Sequence, residues 1–221
     1  MLTVSTPLSS FVGVSPPEPA AQSTYHHGDL RAALVAAALG ILETEGLQAM
    51  SLRAVARAVG VSQTAPYRHF ADRRALVGAV AAEGFRRLER AMQEAMAGEG
   101  GRQGFKGVAR AYVDFGKANP ALYRIMFGPE VAVTDDLPEL ATSSRSTLGF
   151  VRDAIEQLQK MGLVRANDPW LLATVCWASL HGVVSLMLDG QARTVVPDDD
   201  ALVDEIAQLV MFGLAPRSPA R

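Results

Sequence analysis

Hydrophobic positions recur at three- and four-residue intervals along most of this chain, and no segment sustains the period-two alternation of a half-buried strand. Leu30, Leu34, Ala37, Ala38, Ile41 and Leu42 share one helical face, which predicts a helix over 29–45 capped by Asp29 and stopped by Gly46. Ser51 caps a second helix with Leu52, Val55, Ala56 and Val59 inward, and Gly60 is placed to end it in the left-handed conformation. Ser62 caps a third, of barely two turns. Asp72 caps a longer helix reaching about Ala97, with Leu76, Val80, Leu88, Met92 and Met96 inward and Arg86, Arg87 and Arg90 outward. A breaker cluster follows at Gly98–Gly101. Beyond it the pattern predicts helices over 103–119, 120–127, 137–161, 169–188 and 198–214, joined by loops at 131–136 and 190–197. The expected fold class is all-α with about nine helices. It divides into a disordered tail (1–24, rich in Ser and Pro), an N-terminal three-helix module (25–76) with a connecting helix (73–97), and a C-terminal helical domain (98–215).

The third helix stands apart. Gln63, Thr64, Ala65, Tyr67, Arg68 and His69 leave it too few apolar residues to be stable alone, so neighbours must hold it while its polar face meets something else. Helix, tight glycine turn and short polar helix make a helix-turn-helix. In order along the chain come Ser51-Leu-Arg-x-Val-Ala, Val59-Gly-Val-Ser62, Tyr67-x-His69-Phe70, Asp72-Arg73 and Leu76. With these motifs the segment resembles the DNA-binding domain of the tetracycline-repressor (TetR/AcrR) family. Pro66 stands where the family usually has Leu, and Arg73 where it usually has Lys. Near a first turn the missing proline donor implies at most a cap shifted by one residue.

The resemblance implies a homodimer whose recognition helices enter successive major grooves of double-stranded DNA at a palindromic site. By side-chain chemistry, Arg53 suits guanine and Gln63 adenine, while Thr64 and Ala65 are short enough to approach a thymine methyl. Ser51, Tyr67, His69 and Arg73 are the expected phosphate contacts, Arg68 can serve either purpose, and Ser62 opens the helix that presents the set.

Composition alone would not lead there, because 21 basic residues face 23 acidic ones. The charge is unevenly spread, however. Residues 26–90 carry nine arginines against six acids, a surplus of three, which leaves the rest of the chain at −5. The N-terminal module is the electropositive end, as phosphate binding requires.

In the C-terminal domain the segment Trp170–Leu188 is apolar nearly all round and must be covered on more than one side. A partner subunit is one cover, giving a homodimer through the helices 170–188 and 198–214. The domain resembles that of a TetR-like subgroup marked by Trp177-x-x-x-His181-Gly182, with Tyr112, Pro120-x-x-Tyr123-Arg124-x-Met126-Phe127-Gly-Pro129 and Leu188-Asp189-Gly190 also matching. Trp177 and His181, at i and i+4, share a face that suits a pocket wall or a packed interface. Tyr112, Phe115, Tyr123, Met126, Phe127, Phe150, Trp170, Trp177 and His181 can line a pocket for an apolar or aromatic effector, or fill a plain core.

Other classes have less support. The rival reading is a helical enzyme acting on a small apolar substrate, but there is no phosphate loop, no paired carboxylates with a partner base and no metal-ligand spacing, so neither metal nor cofactor is expected. His26 and His27 point about 100° apart on a helix and lack a second ligand pair. Cys176 and His181 are about 140° out of phase. The chain's single cysteine suits a reducing cytoplasm, and residues 1–24 hold no Lys or Arg for a secretory signal. Thr174, Ser179, His181, Gly182 and Ser185 interrupt the most apolar run, which favours a buried helix over a membrane span.

Overall fold

The computed structural model describes residues 27–131, 136–196 and 198–216. The expected tail, His26 and most of the loop at 131–136 lie outside these. Among the described residues there are eight α-helices and no strands: α1 (His27–Glu45), α2 (Leu52–Val59), α3 (Arg73–Gly98), α4 (Gly101–Ala118), α5 (Pro120–Met126), α6 (Pro138–Lys160), α7 (Pro169–Leu188) and α8 (Asp199–Leu214). Short 3₁₀ turns occupy Ala65–Arg68, Pro129–Val131 and Ala192–Thr194.

Local chemistry sets several boundaries as expected. Ser51 Oγ accepts from the Ala54 N–H at 3.1 Å, Asp72 Oδ1 from the Ala75 N–H at 2.8 Å, and Gly60 ends α2 at φ +77°. Two expectations are corrected. Asp29 lies inside the first turn of α1, not before it. The third helix is a single 3₁₀ turn beginning at Ala65, because Pro66 has no N–H for an i→i−4 bond. The chain instead closes the tighter Ala65 N–H to Ser62 O (3.0 Å) and Tyr67 N–H to Thr64 O (3.3 Å) bonds. Arg86, Arg87 and Arg90 keep to the outer side of α3, where all three bind Glu83 and Arg86 also reaches Glu139 on α6.

The N-terminal helices close on Leu34, Leu42, Met50, Val55, Phe70 and Leu76, all buried. This core runs without a break along α3, through Val80 and Leu88, into Met92, Val108, Tyr112, Leu122 and Leu180. A 26-residue helix therefore belongs to both halves of the molecule. α4 and α7 approach closely at Gly116, where a Cβ would lie 2.5 Å from Val184 Cγ1. α7 is long and apolar enough to cross a membrane, yet Leu172, Ala173, Cys176, Leu180, Val184 and Met187 pack inside the protein. Its other side is open: Leu171 and Val175 are 52% and 55% exposed, and Leu186 is 47% exposed. The expectation of a helix covered on several sides is thus met on one side only within a single chain.

Candidate functional site

The N-terminal module turns polar groups outward from a rigid frame. Phe70, buried beneath the 3₁₀ turn, anchors it, and the Arg31 guanidinium lies 5.2 Å from the Phe70 ring centroid. With Pro66 also buried, Ser62, Gln63, Thr64, Tyr67 and Arg68 are left exposed, as are Arg53 and Arg57 on α2. Arg53, Arg57 and Arg68 carry no ion pair or side-chain hydrogen bond among the described residues. Sequence reasoning missed Arg57, although its position four residues after Arg53 puts both on one face.

Other members of the expected set are already engaged. Arg73 donates from Nε to Met50 O at 2.8 Å and from a terminal nitrogen to Leu47 O at 2.6 Å, tying the α1–α2 loop to the start of α3. Its guanidinium thus serves the fold, where a phosphate contact was expected. Ser51 is spent as a helix cap, and Ser62 pairs with Thr64 Oγ1 at 3.3 Å without capping anything. Ala65 and His69 are half-buried, with the His69 ring 6.5 Å from that of Phe70.

In the C-terminal half a cavity of about 720 Å³ opens among α3, α4, α5, α6 and α7, well within the size range of small-molecule sites. Phe85, Leu88 and Met92 come from α3, Phe105, Val108 and Tyr112 from α4, and Met126 and Phe127 from the end of α5 and beyond it. Ser144, Arg145, Thr147, Leu148 and Val151 come from α6, and Trp170, Cys176, Trp177, Leu180 and His181 from α7. Six of the nine residues expected to line a pocket do so: Tyr112, Met126, Phe127, Trp170, Trp177 and His181. The other three are corrections. Phe115 is core, Tyr123 stands behind the wall at 2% exposure, and Phe150 packs against the core beside a shallower outer groove. Aromatic content located the cavity, but aliphatic and polar contributors such as Leu148 and Arg145 carry no such signal.

The polar groups of this wall have a determined order. The Trp177 indole N–H donates to Tyr112 Oη at 3.1 Å, Tyr112 and Tyr123 share a 2.9 Å bond, and Tyr123 lies 2.8 Å from His181 Nδ1. Both phenols are buried, so each hydroxyl hydrogen needs an acceptor. Trp177 can only donate, which leaves Tyr112 donating to Tyr123 and Tyr123 donating to Nδ1. The His181 proton then resides on Nε2. Burial supports this neutral form by holding the imidazole pKa below its ordinary value. Burial also pushes Tyr112 up to about 12 and Cys176 up to about 11, so neither ionises near neutrality.

The arrangement combines an outward polar head with an apolar cavity, and comparisons place both halves. Residues 34–80 match the family model for bacterial regulatory proteins of the tetR family, and residues 105–210 that for the tetracyclin repressor-like C-terminal domain. A protein of unknown function from Rhodococcus sp. RHA1 is 33% identical, with a TM-score of 0.75, over 88% of this chain and 100% of its own. A TetR family transcription regulator from Marinobacter aquaeolei VT8 is 19% identical with a TM-score of 0.64, covering 85% of this chain and 96% of that one. The fatty acid degradation regulator FadR from Bacillus halodurans is 18% identical with a TM-score of 0.65, covering 83% and 98%. The last two likenesses establish fold alone. No curated protein matches the chain. A capped α2, a glycine turn and a short polar helix in the first matched segment, and a helical cavity domain in the second, follow the family in chain order: this chain belongs to the tetR family of bacterial transcriptional regulators.

Proposed function

We propose that this regulator is a homodimeric repressor, working in the cytoplasm, whose hold on a palindromic operator is released when a small molecule fills the α3–α7 cavity. The observation that carries this reading is the span of α3. Its first half, through Leu76, Val77 and Val80, is core to the head, and its second half, through Phe85, Leu88 and Met92, is wall to the cavity. A guest that repositions the wall tilts the helix on which the head is mounted. In a dimer, such a tilt changes the separation of the two recognition turns, which must match half-sites about 34–36 Å apart.

The polar surface of the head fits division of labour on DNA. Arg53 and Gln63 address base edges, Thr64 and Ala65 allow close approach, and Arg57, Tyr67, Arg68 and His69 hold phosphates, with Ser51 and Ser62 at the two helix starts. The apolar stripe Leu171, Val175, Ala178, Gly182 and Leu186 on α7, flanked by Leu209 on α8 at 60% exposure, is suited to the same stripe of a second copy. An enzyme in this cavity has little chemistry to work with. The Cys176 thiol is held protonated by burial, and His181 Nδ1 is committed to Tyr123.

The test is a gel shift on the DNA immediately upstream of the regulator's own gene. A dimer-sized complex at one palindromic segment, lost on adding a cavity ligand, is the expected result. A protein that binds no such segment at low salt, or whose complex ignores a stoichiometric cavity ligand, is not the repressor proposed here.

A further inference from the structure

An arginine that no acid neutralises, at the rim of an apolar cavity, has its planar fork free for an anionic guest. Among the described residues from 101 to 214, all arginines and lysines but one are spent inside the protein. Arg110 binds Asp200 and Asp204, Arg152 binds Asp153 and Glu156, Arg124 binds Asp189, and Arg193 binds Asp199. Arg102 and Arg165 hold the carbonyls of Leu163 and Gly213, and Lys106, Lys117 and Lys160 pair with acids. The exception is Arg145, exposed on α6 at the rim where the cavity wall meets the outer groove that holds Glu89 and Asp153, and paired with neither acid.

The rest of the wall sharpens the contrast. None of its residues is Asp or Glu. Ser144 and Thr147 donate their hydroxyl hydrogens to the carbonyls of Ala141 and Ser143, and the Trp177 N–H is given to Tyr112. What remains unspent is one full positive charge at Arg145 and, from the tautomer that the tyrosine chain imposes, the Nε2–H of His181. A neutral guest leaves Arg145 unused, and a cation is repelled by it. One guanidinium matches one carboxylate through its planar fork, whereas a doubly charged phosphate leaves a charge uncompensated in an apolar site.

We propose that the cavity takes an amphipathic organic carboxylate, its acid group held by Arg145 at the α6 rim and its apolar body lying among the aromatic side chains of α3, α4 and α7. This assignment rests on the cavity being the effector site, and deepens that reading by naming the effector's chemistry. His181 supplies a second donor to an oxygen of the guest.

Both tryptophans of the chain, Trp170 and Trp177, line the cavity, so intrinsic fluorescence reports its occupancy. The full-length protein is titrated with decanoate, decanol and decylamine, three probes that differ only at the head group. Decanoate is expected to bind about fivefold tighter than decanol, with decylamine weakest, and the preference narrows as salt is raised because Arg145 is exposed. In Arg145→Gln, decanoate falls to the level of decanol while decanol is unchanged. In Arg145→Glu, decylamine overtakes decanoate. Equal binding of decanoate and decanol by the natural protein, or an Arg145→Gln variant that keeps the preference, overturns the carboxylate assignment and leaves the cavity reading standing. No fluorescence response to any of the three overturns both.

Discussion

Arg31 of α1 donates from both terminal nitrogens to the carboxylate of Glu139, 108 positions later at the start of α6, and Arg86 of α3 donates to the same group at 3.0 Å. Arg31 also lies over Phe70, which anchors the recognition turn. One carboxylate therefore joins the head, the shared helix and the helix that forms one side of the cavity. These side chains are more than a third exposed, so solvent limits each pair to about 0.5 kcal/mol. Glu139→Gln should lower the melting temperature by no more than about 3 °C. It should nevertheless raise hydrogen exchange in α1, leaving α4 and α7 as before. Unchanged exchange in α1 would show that the contact does not restrain the head.

Arg57 and Arg73 should separate by assay. Arg57→Ala removes an exposed, unpaired cation, so affinity for all DNA sequences should fall and the salt slope flatten by about one unit, with stability unchanged. Arg73→Ala instead strands the Met50 carbonyl, leaves Leu47 O with the Met50 N–H alone, and should cost about 2 kcal/mol of stability. Arg53→Ala and Gln63→Ala should relax base preference at one position each, at about 1–3 kcal/mol. Thermal melts and binding to operator variants check the set. A stable Arg73→Ala protein with a flattened salt slope would return that arginine to the phosphates.

Local signals were the legible ones. Ser51, Gly60 and Asp72 act on backbone within a few residues, so their roles follow from neighbours in the chain. Arg73 could not be assigned this way, because its acceptors lie 23 and 26 residues earlier and only the folded head brings them near. Pro66 does more than shift a cap by one residue: its missing donor goes with a 3₁₀ start to the turn, and the first i→i−4 bond is that of the Phe70 N–H to Pro66 O. In the cavity, helical spacing fixes which residues share a face but not which face meets empty space. Phe115 and Tyr123 were thus indistinguishable from Tyr112 and Trp177 before folding. Arg145 sits in the polar run Thr142–Thr147, which reads as solvated surface.

The open side of α7 makes its own prediction. Leu171, Val175, Ala178, Gly182 and Leu186 follow helical spacing, and the small residues in mid-stripe allow a second helix to come close. Val175→Glu places a charge in the centre of that contact, where burial without a partner is costly. Light scattering should give twice the chain mass of 23.5 kDa for the natural protein and a single chain mass for the variant. A natural protein that scatters as a monomer at micromolar concentration, or a Val175→Glu dimer, removes α7 from the interface.

The Trp177–Tyr112–Tyr123–His181 chain should make stability depend on pH in a defined direction. Unfolded, the imidazole takes up a proton near its ordinary 6.5, whereas in the folded protein burial lowers that pKa. Between the two values the unfolded chain binds more protons, so stability rises with pH across this window and is lost as pH falls through it. Tyr112 and Cys176 of the same wall are pushed to about 12 and about 11, and Tyr123 is pushed higher still, so none of these three contributes below pH 8. Protonation also puts a hydrogen on Nδ1, where the Tyr123 hydroxyl must donate, and leaves a buried phenol without an acceptor. His181→Gln keeps an acceptor and a donor but cannot titrate. Melting followed from pH 7.5 to pH 5 should therefore fall more steeply for the natural protein than for His181→Gln, with the two curves converging at the acid end. Parallel curves would mean that His181 has the same pKa folded and unfolded, and that the proton order assigned to the chain is wrong.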